Sequence, residues 1–388
     1  MKIGLVLSST PAYSETFFNS KIKGLQKNGF EVVLFVGSSD KYFNLCPVKP
    51  QVQFRSFHLI LTIFNFIVFC FLKLSTVLKF VSLERKDEVS FTNIVKKIIL
   101  NQHILQESNL DWLHFGFATQ AIGRENLAKA MNAKMAASIR GFDISLYPLK
   151  KPKCYSKLWH KLDKLHVISD DLLDKAYQQE FPKQGKFTKV TPAIDVDFYT
   201  NTLQLDFKQI NFLTVGRIHW KKGHRDTLKA LSFLKEEGIK FTYTIVGDGK
   251  KEDLERIQYY IHEVGLQKKV FLLGKLSKEE VKQQYLKSNY YIQYSLQEGF
   301  CNAVLEAQSM GLLCFVSNAE GLSENILDTT TGWVVPKYSP HLLAKKIIEI
   351  LQLNEEEKRK ISKFAQQRVA TSFHIEKQQQ EFINFYKN

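Results

Sequence analysis

Residues 290–311 read YYIQYSLQEGFCNAVLEAQSMG. Tyr290–Ser295 is an apolar run of strand length, and Ala303–Met310 is a helical stretch closed by Gly311, the residue type that ends helices in the left-handed conformation. Between them lies a glycine-bearing loop that carries Glu298. A strand passing through a loop into a helix is half of a βαβ unit, the building block of a parallel sheet.

Working outward, the same alternation fills the chain. Strand candidates in the second half are Ile210–Gly216, Phe241–Gly247, Lys269–Gly274, Leu313–Ser317 and Gly332–Pro336, with helices over Thr227–Glu237, Glu252–Val264 and Leu342–Leu351. In the first half they are Lys2–Ser9, Glu31–Gly37, Asp111–Phe117, Ala133–Gly141 and Leu165–Ser169. With Tyr290–Ser295 these make eleven strands, too many for one comfortable sheet. The expectation is an α/β protein of two Rossmann-like, doubly wound parallel-sheet lobes facing a cleft, with ligands outside the carboxyl ends of the strands. Thr191–Phe207, which holds Pro192 and several Asp and Asn, reads as the linker. The predicted domains are 1–195, 196–372 and a final helix in 373–388.

The chain has 388 residues, 44% hydrophobic and 24% charged, values that exclude disordered, collagen-like and coiled-coil chains. Cys46, Cys70, Cys154, Cys301 and Cys314 form no CxxC and no metal-ligand spacing, which points to a reducing cytoplasm. The N-terminus MKIGLVLSSTPAY reads as a first strand, without a secretory h-region. A net charge of +15 favours anionic partners, yet no zinc finger, RNP box or helix-turn-helix is present, so nucleic acid is not expected. One segment breaks the alternation: residues 57–81, FHLILTIFNFIVFCFLKLSTVLKFV, too short in its apolar core to span a bilayer. It reads as a buried helix or pair of helices on the first lobe, or as a helix in the membrane interface with Lys49, Arg55, Lys73 and Lys79 meeting lipid phosphates, and the two readings are not exclusive.

Three stretches carry chemistry. In Glu298–Glu306 the N–H groups of Phe300, Cys301, Asn302 and Ala303 open a helix and suit an anion. The flanking carboxylates Glu298 and Glu306 suit hydroxyl recognition, since a carboxylate accepts two hydrogen bonds from a vicinal diol. In Val215–Gly223, VGRIHWKKG, Gly216 leads into a loop where Arg217 and Lys222 fit a diphosphate. Val246-Gly247-Asp248-Gly249 closes a strand with a tight turn and is no dinucleotide fingerprint. Asp195-Val196-Asp197 imitates a DxD metal motif but falls in the linker, so no metal is expected.

The ordered set GR…KG, VGDG, FLLGKL, E-x7-E, EAxxxG and GLxE over residues 210–335 resembles the donor lobe of the retaining GT-B glycosyltransferases of family 4. That resemblance implies that Arg217 and Lys222 hold the donor diphosphate and Glu306 the ribose. It also implies that Glu298 meets the transferred sugar and that backbone near Lys275 and Leu276 meets the base. In the first half, Ser14-Glu15-Thr16-Phe17 resembles the family's opening loop, and Asp111–Gly116 its D-x-x-H-x-H-F-G with His114 retained. Ser138–Asp143 resembles T-x-H-G-x-D with Arg140 replacing the histidine. Ser14, Glu15, Thr16, Arg140 and Asp143 are thereby expected on the acceptor side and Glu298 and His114 as catalytic residues, with His114 orienting the acceptor, and the last helix is expected to cross back onto the first lobe.

The expected function is metal-independent, retaining transfer of a sugar from a nucleotide-diphosphate-sugar to a glycan or lipid-linked glycan, in lipopolysaccharide or capsule synthesis, at the inner face of an anionic membrane. No cofactor is expected. Two other readings stay open: a nucleotide-sugar epimerase on the same fold, and a non-catalytic binding protein.

Overall fold

The computed structural model describes residues 1–11, 16–40, 42–51, 59–201 and 205–388. The chain divides into two compact units, Met1–Val190 with Gln379–Asn388, and Thr191–Gln378. The divisions fall a few residues from the expected 195/196 and 372/373.

The first unit holds a seven-stranded parallel sheet: β1 (Lys2–Ser9), β2 (Glu31–Ser38), β3 (Val48–Pro50), β4 (Trp112–Phe115), β5 (Lys134–Ile139), β6 (Lys164–Val167) and β7 (Phe187–Lys189), in the order β3-β2-β1-β4-β5-β6-β7. The sheet winds outward both ways from β1, where Val6 pairs with Phe35 on one side and Phe115 on the other. Helices cover both faces, which is why the central strands read as unbroken apolar runs. The edge strands β3 and β7 have only three residues each and were not visible in the sequence.

The second unit carries six parallel strands: β8 (Asn211–Val215), β9 (Thr242–Val246), β10 (Val270–Leu272), β11 (Tyr290–Gln293), β12 (Leu313–Ser317) and β13 (Trp333–Val335), ordered β10-β9-β8-β11-β12-β13. Its core gathers Phe212, Tyr243, Ile245, Tyr290, Ile292 and Phe315 with Leu228, Leu231 and Ile347 from the covering helices. The winding reverses between β8 and β11. Chains diverge there, and the loops leaving the two strands frame the crevice in which such sheets bind ligands.

Two further elements matter. Of residues 57–81, Phe57 and His58 lie outside the described residues; the rest fall in the helices Leu59–Leu72 and Leu74–Lys86 and the break between them at Lys73, where the pair bends by 89°. Val77 and Phe80 are buried, whereas Phe64, Ile67, Phe71, Leu72, Leu74 and Leu78 are exposed. Among the described residues no single helix is long and apolar enough to cross a membrane. The last helix, Ile375–Lys387, ends in the first unit. There the Trp112 indole donates to Tyr386 O at 3.1 Å and the Lys164 ammonium to Phe385 O at 2.9 Å.

Candidate active site

The loops of the second unit are drawn together by backbone bonds and by glycines that tolerate no side chain. Gly216 N donates to Val246 O at 2.9 Å, Ile218 N to Asp248 O at 2.8 Å, and Gly247 N to Gly274 O at 2.8 Å. Gly247 has φ +144°, and a Cβ there would lie 2.0 Å from Gly216 O. Gly223, at φ +64°, passes so close to β11 that a Cβ would meet Tyr294 O at 1.9 Å. Only glycine permits both the conformation and the approach. Leu296 N donates to Lys221 O at 2.7 Å, so the loop after β8 is fastened to the loop after β11.

This fastening sets Lys222 against Glu298. Lys222 Nζ and Glu298 Oε2 form an ion pair, with the two side chains 16% and 17% exposed. Burial alone would pull the ammonium's pKa down, but the Glu298 charge outweighs it and the pKa is raised. Arg217 on the same loop is exposed, and its carbonyl accepts His224 Nε2–H at 3.2 Å. A cation and a carboxylate meeting at the switch point, with a second cation nearby, can exchange their mutual contact for a ligand carrying both phosphate and hydroxyls.

Glu306 stands in the helix Asn302–Ser309. Its Oε2 accepts the Tyr285 hydroxyl at 2.9 Å, and burial pushes its carboxyl up to about 7, against hydrogen bonds from Tyr285 and Tyr199 and the Lys278 charge. The start of that helix corrects one expectation. Cys301 N–H is not open to an anion: it donates to Asn325 Oδ1 at 3.1 Å, while Asn325 Nδ2 returns to Cys301 O at 2.9 Å. Ala303 N–H leans on the Cys301 thiol, which burial pushes up to about 11. Phe300 is buried with its ring 5.7 Å from that of Phe373. Among the described residues the N–H groups of Phe300 and Asn302 make no hydrogen bond. Lys275 and Leu276 follow β10 next to Gly274, Lys275 exposed and Leu276 half-buried. Asp195 of the DVD triplet accepts Phe198 N–H at 3.0 Å and lies 3.6 Å from Lys278 Nζ. No group of three or more His, Cys, Asp or Glu close enough to hold a metal ion occurs among the described residues.

In the first unit, Ser14 and Glu15 lie outside the described residues; Thr16 opens the helix Thr16–Lys27. His114 is placed differently from the expectation. It sits in β4 fully buried, Nδ1 facing Tyr386 Oη at 2.6 Å and Lys21 Nζ at 3.2 Å, Nε2 facing Ser138 Oγ at 2.8 Å. Ser138 Oγ in turn lies 2.8 Å from His166 Nδ1, and His166 Nε2 lies 3.1 Å from Val190 O. A carbonyl only accepts, so His166 Nε2 carries its proton, Ser138 donates to His166 Nδ1, and His114 Nε2–H donates to Ser138. His114 Nδ1 is then the acceptor for Tyr386 and Lys21. Burial, then the neighbouring charges, hold His114 and His166 well below the ordinary imidazole range. Both ring nitrogens of His114 are spent inside the unit, so the expected acceptor-orienting role is withdrawn.

Asp143 is likewise turned inward, its Oδ1 accepting Arg140 N–H and Gly141 N–H, each at 2.9 Å. It pins its own turn and offers no carboxylate to an acceptor. Arg140 lays its guanidinium 4.0 Å from the Phe17 ring centroid and donates Nε–H to Gly116 O at 3.3 Å.

Tyr285, Tyr199 and Asn325 were missed in the sequence. Tyr285 could have been found as the lone aromatic of a polar helix just ahead of β11. Asn325 gave no signal, since its role is a pairing 24 residues back.

Residues 195–368 match the family model described as Glycosyl transferases group 1. Among curated proteins, the chain is 27% identical over 250 residues to the amylovoran biosynthesis glycosyltransferase AmsK of Erwinia amylovora, covering 62% of this chain and 60% of that protein. It is 29% identical over 189 residues to the UDP-Gal:alpha-D-GlcNAc-diphosphoundecaprenol alpha-1,3-galactosyltransferase of Escherichia coli, covering 47% of this chain and 48% of that protein. The chain spans less than two thirds of the length of either relative. Among solved structures, HepE of Anabaena in complex with UDP superposes with a TM-score of 0.73 at 14% identity, covering 100% of this chain and 99% of that one. At that identity the likeness is one of fold, the GT-B architecture of two parallel-sheet Rossmann-like domains.

Proposed function

We propose, from the match of residues 195–368 to the family model described as Glycosyl transferases group 1, that this chain transfers a sugar from a nucleotide-diphosphate-sugar to a glycan or lipid-linked glycan acceptor during cell-surface polysaccharide synthesis. The observation that carries the reading is Lys222 paired with Glu298 at the β8/β11 switch point, with the Glu306 carboxyl on the helix that follows. In this reading Arg217, Lys222 and the N–H groups of Phe300 and Asn302 take the diphosphate, Glu306 the ribose, Glu298 the sugar, and backbone at Lys275 and Leu276 the base.

Breaking the bond between the anomeric carbon and the phosphate oxygen builds negative charge on the departing diphosphate and positive charge on the sugar. Lys222 and Arg217 stabilise the first without a metal, and Glu298 favours the second. No carboxylate nucleophile is assigned. The acceptor hydroxyl attacks from the face the diphosphate leaves, its proton passes to the departing phosphate oxygen, and the configuration is retained. AmsK by its name makes an exopolysaccharide, and the galactosyltransferase by its name acts on a diphosphoundecaprenol-linked sugar; both support a surface-glycan acceptor here.

The bent helix pair supports a reading in which the protein sits at the inner face of an anionic membrane. Phe64, Ile67, Phe71, Leu72, Leu74 and Leu78 are exposed on it. Between Asp40 and Glu84 the sequence has Lys41, Lys49, Arg55, Lys73 and Lys79 and no Asp or Glu. Lys73 bonds the Ser108 hydroxyl and Lys79 the Asn132 amide oxygen, so neither is neutralised there; Lys49, expected to meet lipid, pairs instead with Glu107, and Arg55 lies outside the described residues. Apolar side chains flanked by Lys73 and Lys79 suit insertion among anionic headgroups.

The test is release of nucleotide from a panel of UDP- and GDP-sugars, with and without a lipid-linked glycan acceptor, with and without EDTA. Acceptor-dependent release insensitive to EDTA is expected. Isomerised sugar without transfer would turn the reading to an epimerase, and no turnover or binding of any donor would overturn it.

A further inference from the structure

Glu306 is not steadied by its own helix. The Tyr285 hydroxyl reaches its Oε2 at 2.9 Å from the helix Lys278–Leu286, and the Tyr199 hydroxyl also donates to the carboxyl. The two rings stand at 89° with centroids 5.9 Å apart. Both are themselves fixed: Tyr285 is fully buried with its ring 6.1 Å from that of Tyr291, and the Tyr199 carbonyl accepts the Ser309 hydroxyl at 2.6 Å. A carboxylate has roughly four acceptor sites. Two tyrosine donors occupy two of them, and two remain, the number a vicinal diol needs.

We propose that Tyr285 and Tyr199 are positioning residues for the donor, holding the Glu306 carboxylate so that its remaining lone pairs face the two ribose hydroxyls of a nucleoside diphosphate. This rests on the reading of Glu306 as the ribose contact. A protonation consequence follows from the same geometry. Tyr285 has one proton and two acceptors within reach, Glu306 Oε2 at 2.9 Å and Ala303 O at 3.2 Å. When Glu306 is ionised it takes that proton. When Glu306 is protonated, its own O–H can donate to the tyrosine oxygen while the tyrosine turns to Ala303, and the neutral carboxyl that remains is a weaker acceptor for the diol than the carboxylate. The titratable groups facing Glu306 are Tyr285 and Lys278 from one helix, Tyr199 from the segment after Asp195, and Tyr291 from β11; Lys278 is the one cation among them. With the carboxyl pushed up to about 7 by burial, diol affinity rises as pH increases through that value.

The test is calorimetric titration of the full chain with UDP, GDP and their 2′-deoxy counterparts between about pH 5.5 and 8.5. The wild type is expected to bind one of the ribonucleotides more tightly as pH rises through about 7, and to bind its 2′-deoxy counterpart more weakly. Tyr285→Phe removes one donor to the carboxylate, so affinity should fall about tenfold. Its pH midpoint should move upward, and its preference for ribose over deoxyribose should shrink. Tyr199→Phe should do the same to a smaller extent, and it carries the test alone if Tyr285→Phe fails to fold. Wild-type affinity, pH profile and ribose preference in both variants would overturn the positioning role and leave the transferase reading standing. Failure of the wild type to bind any of these nucleotides would overturn both.

Discussion

Lys222 Nζ touches Glu298 Oε2 across 76 residues of sequence, so the cation expected to hold the diphosphate and the carboxylate expected to hold the sugar are engaged with each other. A pair this well shielded costs desolvation, and losing either partner leaves a charge largely uncompensated. Lys222→Ala should lower turnover on the order of a hundredfold or more. Glu298→Gln should also lower turnover, yet it frees the ammonium and should tighten UDP or GDP binding. Calorimetry beside nucleotide-release assays separates the two effects; wild-type turnover in Lys222→Ala would defeat the site.

Gly247→Ala should weaken both the fold and the donor loops, because its Cβ would sit 2.0 Å from Gly216 O at φ +144°. The cost should be about 1–3 kcal/mol by denaturant unfolding. Gly29→Ala is the control: its φ is +78° but nothing lies within 4 Å of the added carbon, so it should cost less and leave nucleotide affinity unchanged.

Stability should fall with acid for a reason unrelated to catalysis. His114 and His166 are held neutral by burial in the folded unit, while in the unfolded chain they protonate near pH 6.5. Between the folded and unfolded values the unfolded chain binds more protons, so stability is complete above about 6.5 and declines below it, by roughly 1.4 kcal/mol per pH unit for each histidine. Thermal melts from pH 7.5 to 5 check this, and His166→Gln should flatten the slope.

Phe71→Glu with Leu72→Glu should detach the protein from phosphatidylglycerol vesicles tenfold or more, since Phe71 is 79% exposed and Leu72 72% exposed and each buried apolar side chain contributes about 1.5–3 kcal/mol. Turnover on a soluble acceptor should hold. Equal flotation of variant and wild type would exclude this face as the membrane contact.

The sheets were legible because parallel strands buried on both faces spell out runs such as Leu5–Leu7 and Val32–Val36. β3 and β7 escaped because three half-exposed edge residues make no run. At the site, strand-to-helix transitions located Lys222, Glu298 and Glu306, since a loop at a strand's carboxyl end can be counted out in sequence. Their pairing could not be, and neither could the Tyr285 contact to Glu306, which comes from a different helix. His114 was misread for the same reason: the hydroxyl that occupies it, from Tyr386, lies 272 residues away.

That distant hydroxyl bears on the order of assembly in the cell. Thr191–Gln378 is one continuous stretch and emerges from the ribosome whole, whereas Met1–Val190 lacks Gln379–Asn388 until translation has passed both. Domains made first ordinarily finish first. Here the first-made unit must wait with the Trp112, His114 and Lys164 side of its sheet uncovered while the second completes, and a chaperone or a stalled ribosome would meet it in that state.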